Sequence, residues 1–136
     1  MDKKYEILEH PADLKIRAFG KTKEELFLNM MIGMNENMRP EIKKPEEKMK
    51  REIKIKSPDL SALLIDFLSE VLYSSQANTE IYNEAKIIKL TDTELEAEIF
   101  GQKVERFGED IKAVTYHDSE VKQVNDHWEV TVLFDI

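Results

Sequence analysis

The sequence contains no cysteine, which excludes disulfides, cysteine-based zinc sites and thiol catalysis. Glycine and proline number four each, and nowhere do they gather into a linker, a repeat or a low-complexity tract. No glycine loop is built to cradle phosphate, no HExxH pair stands ready for zinc, and no serine sits in a nucleophile elbow. No apolar run approaches the roughly 20 residues a membrane-spanning helix needs. Basic residues are outnumbered, giving a net charge of −8 at pH 7. That balance argues against binding a nucleic-acid backbone directly. It does not oppose docking on a basic protein, because complementary fields steer encounter. Met1-Asp2-Lys3-Lys4 runs straight into Tyr5-Glu6-Ile7-Leu8 without the character of a signal peptide. The expectation is a soluble, cytoplasmic, monomeric protein with one domain over residues 1–136, since 41% hydrophobic residues suffice for a single core.

What the chain does have is patterned. Tyr5 to Leu8 reads as a first strand, and Leu14, Ile16 and Ala18 alternate with Lys15 and Arg17 in a second that ends at Gly20. Thr22 and Glu25 form a capping box that opens a helix with Leu26, Phe27, Met30, Met31 and Met34 on its apolar side. Gly33 weakens that helix slightly or admits a neighbouring backbone. The methionines at 30, 31, 34 and 38 are expected to fill the core. Residues 35–47, polar and holding Pro40 and Pro45, read as a loop. Met49, Arg51, Ile53 and Ile55 alternate with charged neighbours as a strand with one wet face. Ser57-Pro58-Asp59 is expected to start a second helix, with Ser57 as N-cap and Pro58 at its first position. Its stripe runs Leu60, Leu63, Leu64, Phe67, Leu68, Val71 and Leu72, with Asp66 and Glu70 expected as exposed acids on the other side.

The second half reads as β structure: 81–90, a tight turn at Thr91-Asp92-Thr93, and a return strand through Leu95, Ala97 and Ile99. A loop is expected over 101–110, then strands over 111–117 and 119–124, a hairpin turn at Asn125-Asp126, and a closing strand. The fold class is therefore α+β, a mostly antiparallel or mixed sheet with two amphipathic helices packed on it. In the closing strand, Trp128, Val130, Val132 and Phe134 share a face, and no polar tail follows Ile136. Ends of chains fray unless a sheet holds them. The Asp135 carboxylate and the α-carboxylate of Ile136 are two close anions that must lose charge or find a cation. The terminus is expected to serve as a ligand.

Read singly, the three histidines are structural residues, with His127 on the surface and His10 and His117 at strand ends. The constellation says more. Lys112 is the one charged residue in Ile111-Lys112-Ala113-Val114-Thr115-Tyr116 and, on period two, shares a face with Val114 and Tyr116. Asp13, Asp135 and the Ile136 carboxylate would make an all-oxygen site suited to Ca²⁺ or Mg²⁺. His10 and His117 are the candidates to hydrogen-bond such ligands from behind.

The segments Glu9-His10-Pro11-Ala12-Asp13, Ile16-Arg17-Ala18-Phe19-Gly20-Lys21-Thr22 with Glu25, Leu63-Leu64-Ile65-Asp66-Phe67-Leu68 with Leu72-Tyr73, Ile111-Lys112-Ala113-Val114-Thr115-Tyr116-His117, and Leu133-Phe134-Asp135-Ile136 together resemble the archease family. The likeness runs through the whole chain in the family's order. It implies a small cytoplasmic protein, not itself an enzyme, that activates an RtcB-type RNA ligase in tRNA splicing and RNA repair. By resemblance it promotes GTP-dependent guanylylation of the ligase histidine and its turnover. The family's metal ligands fall on Asp13, Asp135 and Ile136, and its functional lysine on Lys112. Calcium is the ion the resemblance implies, a choice the hard-oxygen argument leaves open between calcium and magnesium. Three features depart from the family pattern: Pro11 in place of a common threonine, Asp118-Ser119 after His117, and a shortened stretch over 101–110. The alternative reading is a chaperone-like or adaptor protein working through an apolar patch, for which the methionine-rich helix is the only sequence support. A small carboxylate hydrolase lacks a nucleophile or a placed acid–base pair.

Overall fold

Period-two alternation and two helical stripes build the structure, a computed structural model that describes residues 3–8, 12–42, 48–117 and 119–136. Pro11, His10 and Asp118 lie outside the described residues. The order is β1 (Tyr5–Leu8), β2 (Leu14–Gly20), α1 (Lys23–Asn37), β3 (Pro40–Ile42), β4 (Met49–Lys56), α2 (Leu60–Asn78), β5 (Glu80–Leu90), β6 (Glu94–Phe107), β7 (Ala113–Val114), β8 (Lys122–Val124) and β9 (His127–Asp135). The α+β class holds, and every strand pairing among the described residues is antiparallel.

The strands divide into two sheets. In the first the order is β1-β2-β9, and β9 pairs on its far side with β8 and β7 in turn. In the second, β6 is the long central strand between β4 and β5, with β3 on its later half. Helix α1 packs on β1, β2 and β9 of the first sheet and on β5 of the second. That position explains why it is buried almost all round, from Leu26 to Asn35 apart from Leu28. Helix α2 packs on β4, β5, β6 and β7. One core cluster takes Ile16, Val130, Val132 and Phe134 from the first sheet and Ile53, Tyr82, Leu95 and Ile99 from the second. Met30, Met31 and Met34 are 0% exposed and Met38 1%, so the methionines are core filler and offer no apolar surface.

Several local expectations change. The capping box forms with a shift. Thr22 Oγ1 accepts from Glu25 N–H at 3.1 Å, but the Glu25 carboxylate takes Lys21 N–H, at 3.3 Å, one residue before the N-cap. The N-cap of α2 is Asp59, which accepts from Ala62 N–H at 2.8 Å. Ser57 cannot cap because its N–H still belongs to the sheet end, donating to Thr93 O at 2.9 Å, and its hydroxyl donates to Asp66 Oδ2 at 2.6 Å. Gly33 makes room for a side chain, not a backbone: a Cβ there would stand 3.1 Å from the Tyr5 ring.

Residues 35–42 are not a loop. Asn35 is a buried helical residue whose Oδ1 accepts from Tyr82 N–H at 3.0 Å and Ser75 Oγ at 3.4 Å, tying α1 to β5 and α2. Arg39 then takes a left-handed backbone (φ 48°), which turns the chain into β3. Nor are residues 101–107 a loop, because β6 continues to Phe107. Gly101 lies within it where the β5 register shifts, and a side chain there would run into Ile81 O.

Beside that shift is a buried charge. Glu80 is 0% exposed. Arg51 grips it with two bonds, Nε to Oε1 at 3.1 Å and Nη2 to Oε2 at 2.9 Å. Tyr82 donates to Oε1 at 2.6 Å, and Lys103 Nζ stands 3.6 Å from Oε2. Burial pushes the Glu80 carboxyl up, but the Arg51 fork, the Tyr82 hydroxyl and Lys103 outweigh it and hold it below its ordinary value. Burial, and then the Glu80 carboxylate, push Tyr82 up to about 12.

Candidate functional site

The end of β9 is flanked on both sides. β2 pairs with it antiparallel, and the last matched residues are Leu14 and Phe134. Asp13 and Asp135 are therefore the next residues out at neighbouring strand ends. On the other side Ala113 is the register partner of Asp135, and Lys112 N–H donates to Asp135 O at 2.7 Å. Four sequence-predicted residues, Asp13, Lys112, Asp135 and Ile136, thus stand at one end of the first sheet. Alternation accounts for it: Val130, Val132 and Phe134 are buried, which holds β9 in the sheet to its last turn of the pleat. Asp13 is half-buried, whereas Lys112, Asp135 and Ile136 are exposed to solvent.

The other predicted residues fall elsewhere or differ in setting. His10 lies outside the described residues. His117 is an exposed turn residue, past the bond from Thr115 N–H to Leu133 O that ends the pairing with β9. His127 is not a surface residue. Its side chain is only 13% exposed, packs edge-on against Phe19 with ring centroids 5.9 Å apart, and contacts Glu129 Oε2 at 3.3 Å. Lys112 does not share a face with Val114, which is buried while Lys112 and Tyr116 are exposed. The reason is that only Ala113 and Val114 are in strand conformation, so the period-two argument has no strand to run along. The expected strand over 119–124 is likewise reduced to Lys122–Val124.

Asp66 is the residue whose role the sequence concealed. Glu70 is exposed, but Asp66 is half-buried and accepts from both Ser57 Oγ and the Tyr116 hydroxyl. That hydrogen bond to the Asp66 carboxylate, and then burial, raise the Tyr116 phenol above its ordinary value. The signal available in sequence was the presence of Asp66 and Tyr116 in two separate motif segments.

Asp13 and Asp135 offer carboxylate oxygens at the β9 end, and such oxygens are chemistry that fits a hard cation. Among the described residues no three His, Asp or Glu side chains form a group able to hold a metal. The expected set contains only two such side chains and relies on the Ile136 carboxylate as the third donor.

Antiparallel sheets clasping two helices, with one sheet end carrying acids and a lysine, define a small α+β protein with a polar tip. The sequence matches the Archease protein family (MTH1598/TM1083) over residues 5–136. It is 38% identical to the protein archease of Methanosarcina barkeri, an alignment covering 98% of this chain and 97% of that one. It is 33% identical to the archease of Thermococcus kodakarensis, covering 91% and 92%. Its fold is similar to the solution structure of Methanobacterium thermoautotrophicum protein 1598, with a TM-score of 0.70 at 23% identity and coverage of 98% and 99%. It is also similar to the crystal structure of an archease from Thermotoga maritima described as a "possible chaperone", with a TM-score of 0.68 at 18% identity and coverage of 95% and 94%. The chain belongs to the archease family. Among the described residues no helix is long and apolar enough to cross a membrane.

Proposed function

We propose that this protein is a non-enzymatic activator of an RtcB-type RNA ligase, promoting the ligase's GTP-dependent guanylylation and turnover in tRNA splicing and RNA repair. Membership of the archease family over residues 5–136 carries the reading. The β9 end supports it, because Asp13, Lys112 and Asp135 lie at adjacent strand ends there. In this reading Asp13, Asp135 and the Ile136 carboxylate would hold calcium, or magnesium in its place. A cation so held supplies positive charge that offsets the carboxylates and attracts phosphate oxygens.

Lys112 presents an ammonium beside that charge and donates to a nucleotide phosphate or to a partner's acidic group. Being exposed, it gains most once the ligase pocket closes over it and excludes water. The protein forms no covalent intermediate in this scheme. Its −8 net charge favours approach to a basic ligase surface and disfavours direct contact with RNA. It works in the cytoplasm as a monomer. Lys112→Ala removes the ammonium from an exposed position and leaves the core untouched. Guanylylation of the ligase should then fall toward the unstimulated rate, and a variant of intact fold that stimulates like the parent would remove Lys112 from the account.

A further inference from the structure

Residues 111–117, and Val121 beyond them, are tied to α2 at three points. Gln76 Nε2 donates to Ile111 O at 2.7 Å, the Tyr116 hydroxyl donates to Asp66 Oδ1, and Val121 N–H donates to Ser61 Oγ at 2.9 Å. Helix positions 76 and 66 are met by 111 and 116 in turn, so residues 111–116 run antiparallel to the helix. The first two ties bracket Lys112. On its other side the same stretch is held to β9 by Lys112 N–H to Asp135 O at 2.7 Å and Thr115 N–H to Leu133 O at 3.0 Å.

The sheet alone is a poor holder of this stretch, because the β7 pairing is two residues long. Buried Ile111 and Val114, at 1% and 9% exposure, anchor it by packing, while Lys112 projects to solvent. Apolar anchoring is non-directional. What sets the geometry are the directional bonds, and those to α2 reach a rigid element, which holds a group more closely than a loop can. Gln76 is itself exposed and Tyr116 is 61% exposed, so neither is needed to fill the core.

We infer that Gln76 and the Tyr116–Asp66 pair are positioning residues, clamping the 111–116 stretch to α2 so that Lys112 and the Asp135 end of β9 are presented in one fixed arrangement. The inference rests on Lys112 being the partner-activating residue. It adds that α2, which supplies none of the acidic ligands, sets where that lysine points from.

The test uses three variants of the full chain. Gln76→Leu removes the first tie, Tyr116→Phe the second, and Ser61→Ala the distant third as a control. Amide hydrogen exchange reads the Lys112 N–H bond to Asp135 directly. Protection of that amide should fall about fivefold in the first two variants, the scale of one hydrogen bond's net contribution, and stay at the parent level in Ser61→Ala. In ligase guanylylation, the plateau of stimulation should fall in the first two variants while the half-effective concentration stays put. Unchanged protection and plateau in both Gln76→Leu and Tyr116→Phe would overturn the inference. Should the parent fail to stimulate any ligase, the functional reading falls. The Lys112 amide then decides the positioning claim alone: lost protection supports it and retained protection overturns it.

Discussion

Replacing Arg51 with methionine keeps most of the apolar stem and removes the fork that grips Glu80. The carboxylate it leaves is 0% exposed, still reached by the Tyr82 hydroxyl at 2.6 Å and by Lys103 at 3.6 Å. Removing one partner of a buried ion pair costs about 3–5 kcal/mol, because the other charge stays in the interior uncompensated. The Arg51 side chain is itself 36% exposed, and two weaker partners remain, so the lower end applies: about 3 kcal/mol at pH 7. Urea unfolding at fixed pH measures it. The pH dependence has a definite sign. In the parent, Glu80 is held below its ordinary value of 4.5. Its contribution is therefore complete above the unfolded carboxylate's value and is lost as pH falls through the lower folded value. In Arg51→Met, burial is no longer outweighed to the same degree, the folded value moves up, and protonation costs the folded state less. The stability gap between the two proteins should then narrow as pH falls from 7 through the unfolded carboxylate's range and on toward the parent's lower folded value. A gap under about 1 kcal/mol at pH 7, the worth of an exposed pair, would show that Arg51 does not hold Glu80 as a buried charge. So would a gap that widens in acid.

Two further substitutions probe the interior. Gly101→Ala places a methyl group against Ile81 O, a backbone atom that cannot swing aside, and should cost at least about 3 kcal/mol in denaturant unfolding. Among the described residues, Thr115 Oγ1 is a buried hydroxyl with no hydrogen-bond partner. Thr115→Val keeps the shape and removes that group, so thermal unfolding should show a stabilisation of about 1 kcal/mol; a loss of stability would mean that the hydroxyl is satisfied after all.

The parts of the fold that could be read from the sequence are those where one period runs long enough to be unambiguous. β2, β4 and β9 alternate over 7, 8 and 9 residues, and both helices carry continuous apolar stripes. What escaped depends on partners distant in sequence. Asn35 looks like the start of a loop because its polarity is answered only by Tyr82 and Ser75. The second half of β6 looks like a loop because its glycine serves a close approach by Ile81, not a turn. Ser57 looks like a cap until the sheet claims its N–H and Asp66 its hydroxyl. In the candidate site, Asp13, Asp135 and Lys112 are each visible as charged residues at strand ends, with Ile136 beside Asp135. That they share one end of a sheet follows only from the β2–β9–β7 order, which no local pattern encodes. Gln76 had no signal at all, because its importance lies in a single bond to a backbone carbonyl 35 residues away.

The proposed activity is that an acidic tip at the end of β9 activates an RNA ligase. Its most direct test is guanylylation of an RtcB-type ligase from the same source, with GTP, in the presence of this protein or of an Asp13→Ala variant whose fold is verified by circular dichroism. The parent should accelerate guanylylation, and Asp13→Ala should not. Equal stimulation by both proteins would contradict the role of the acidic site, and no stimulation by either would contradict the activator function itself.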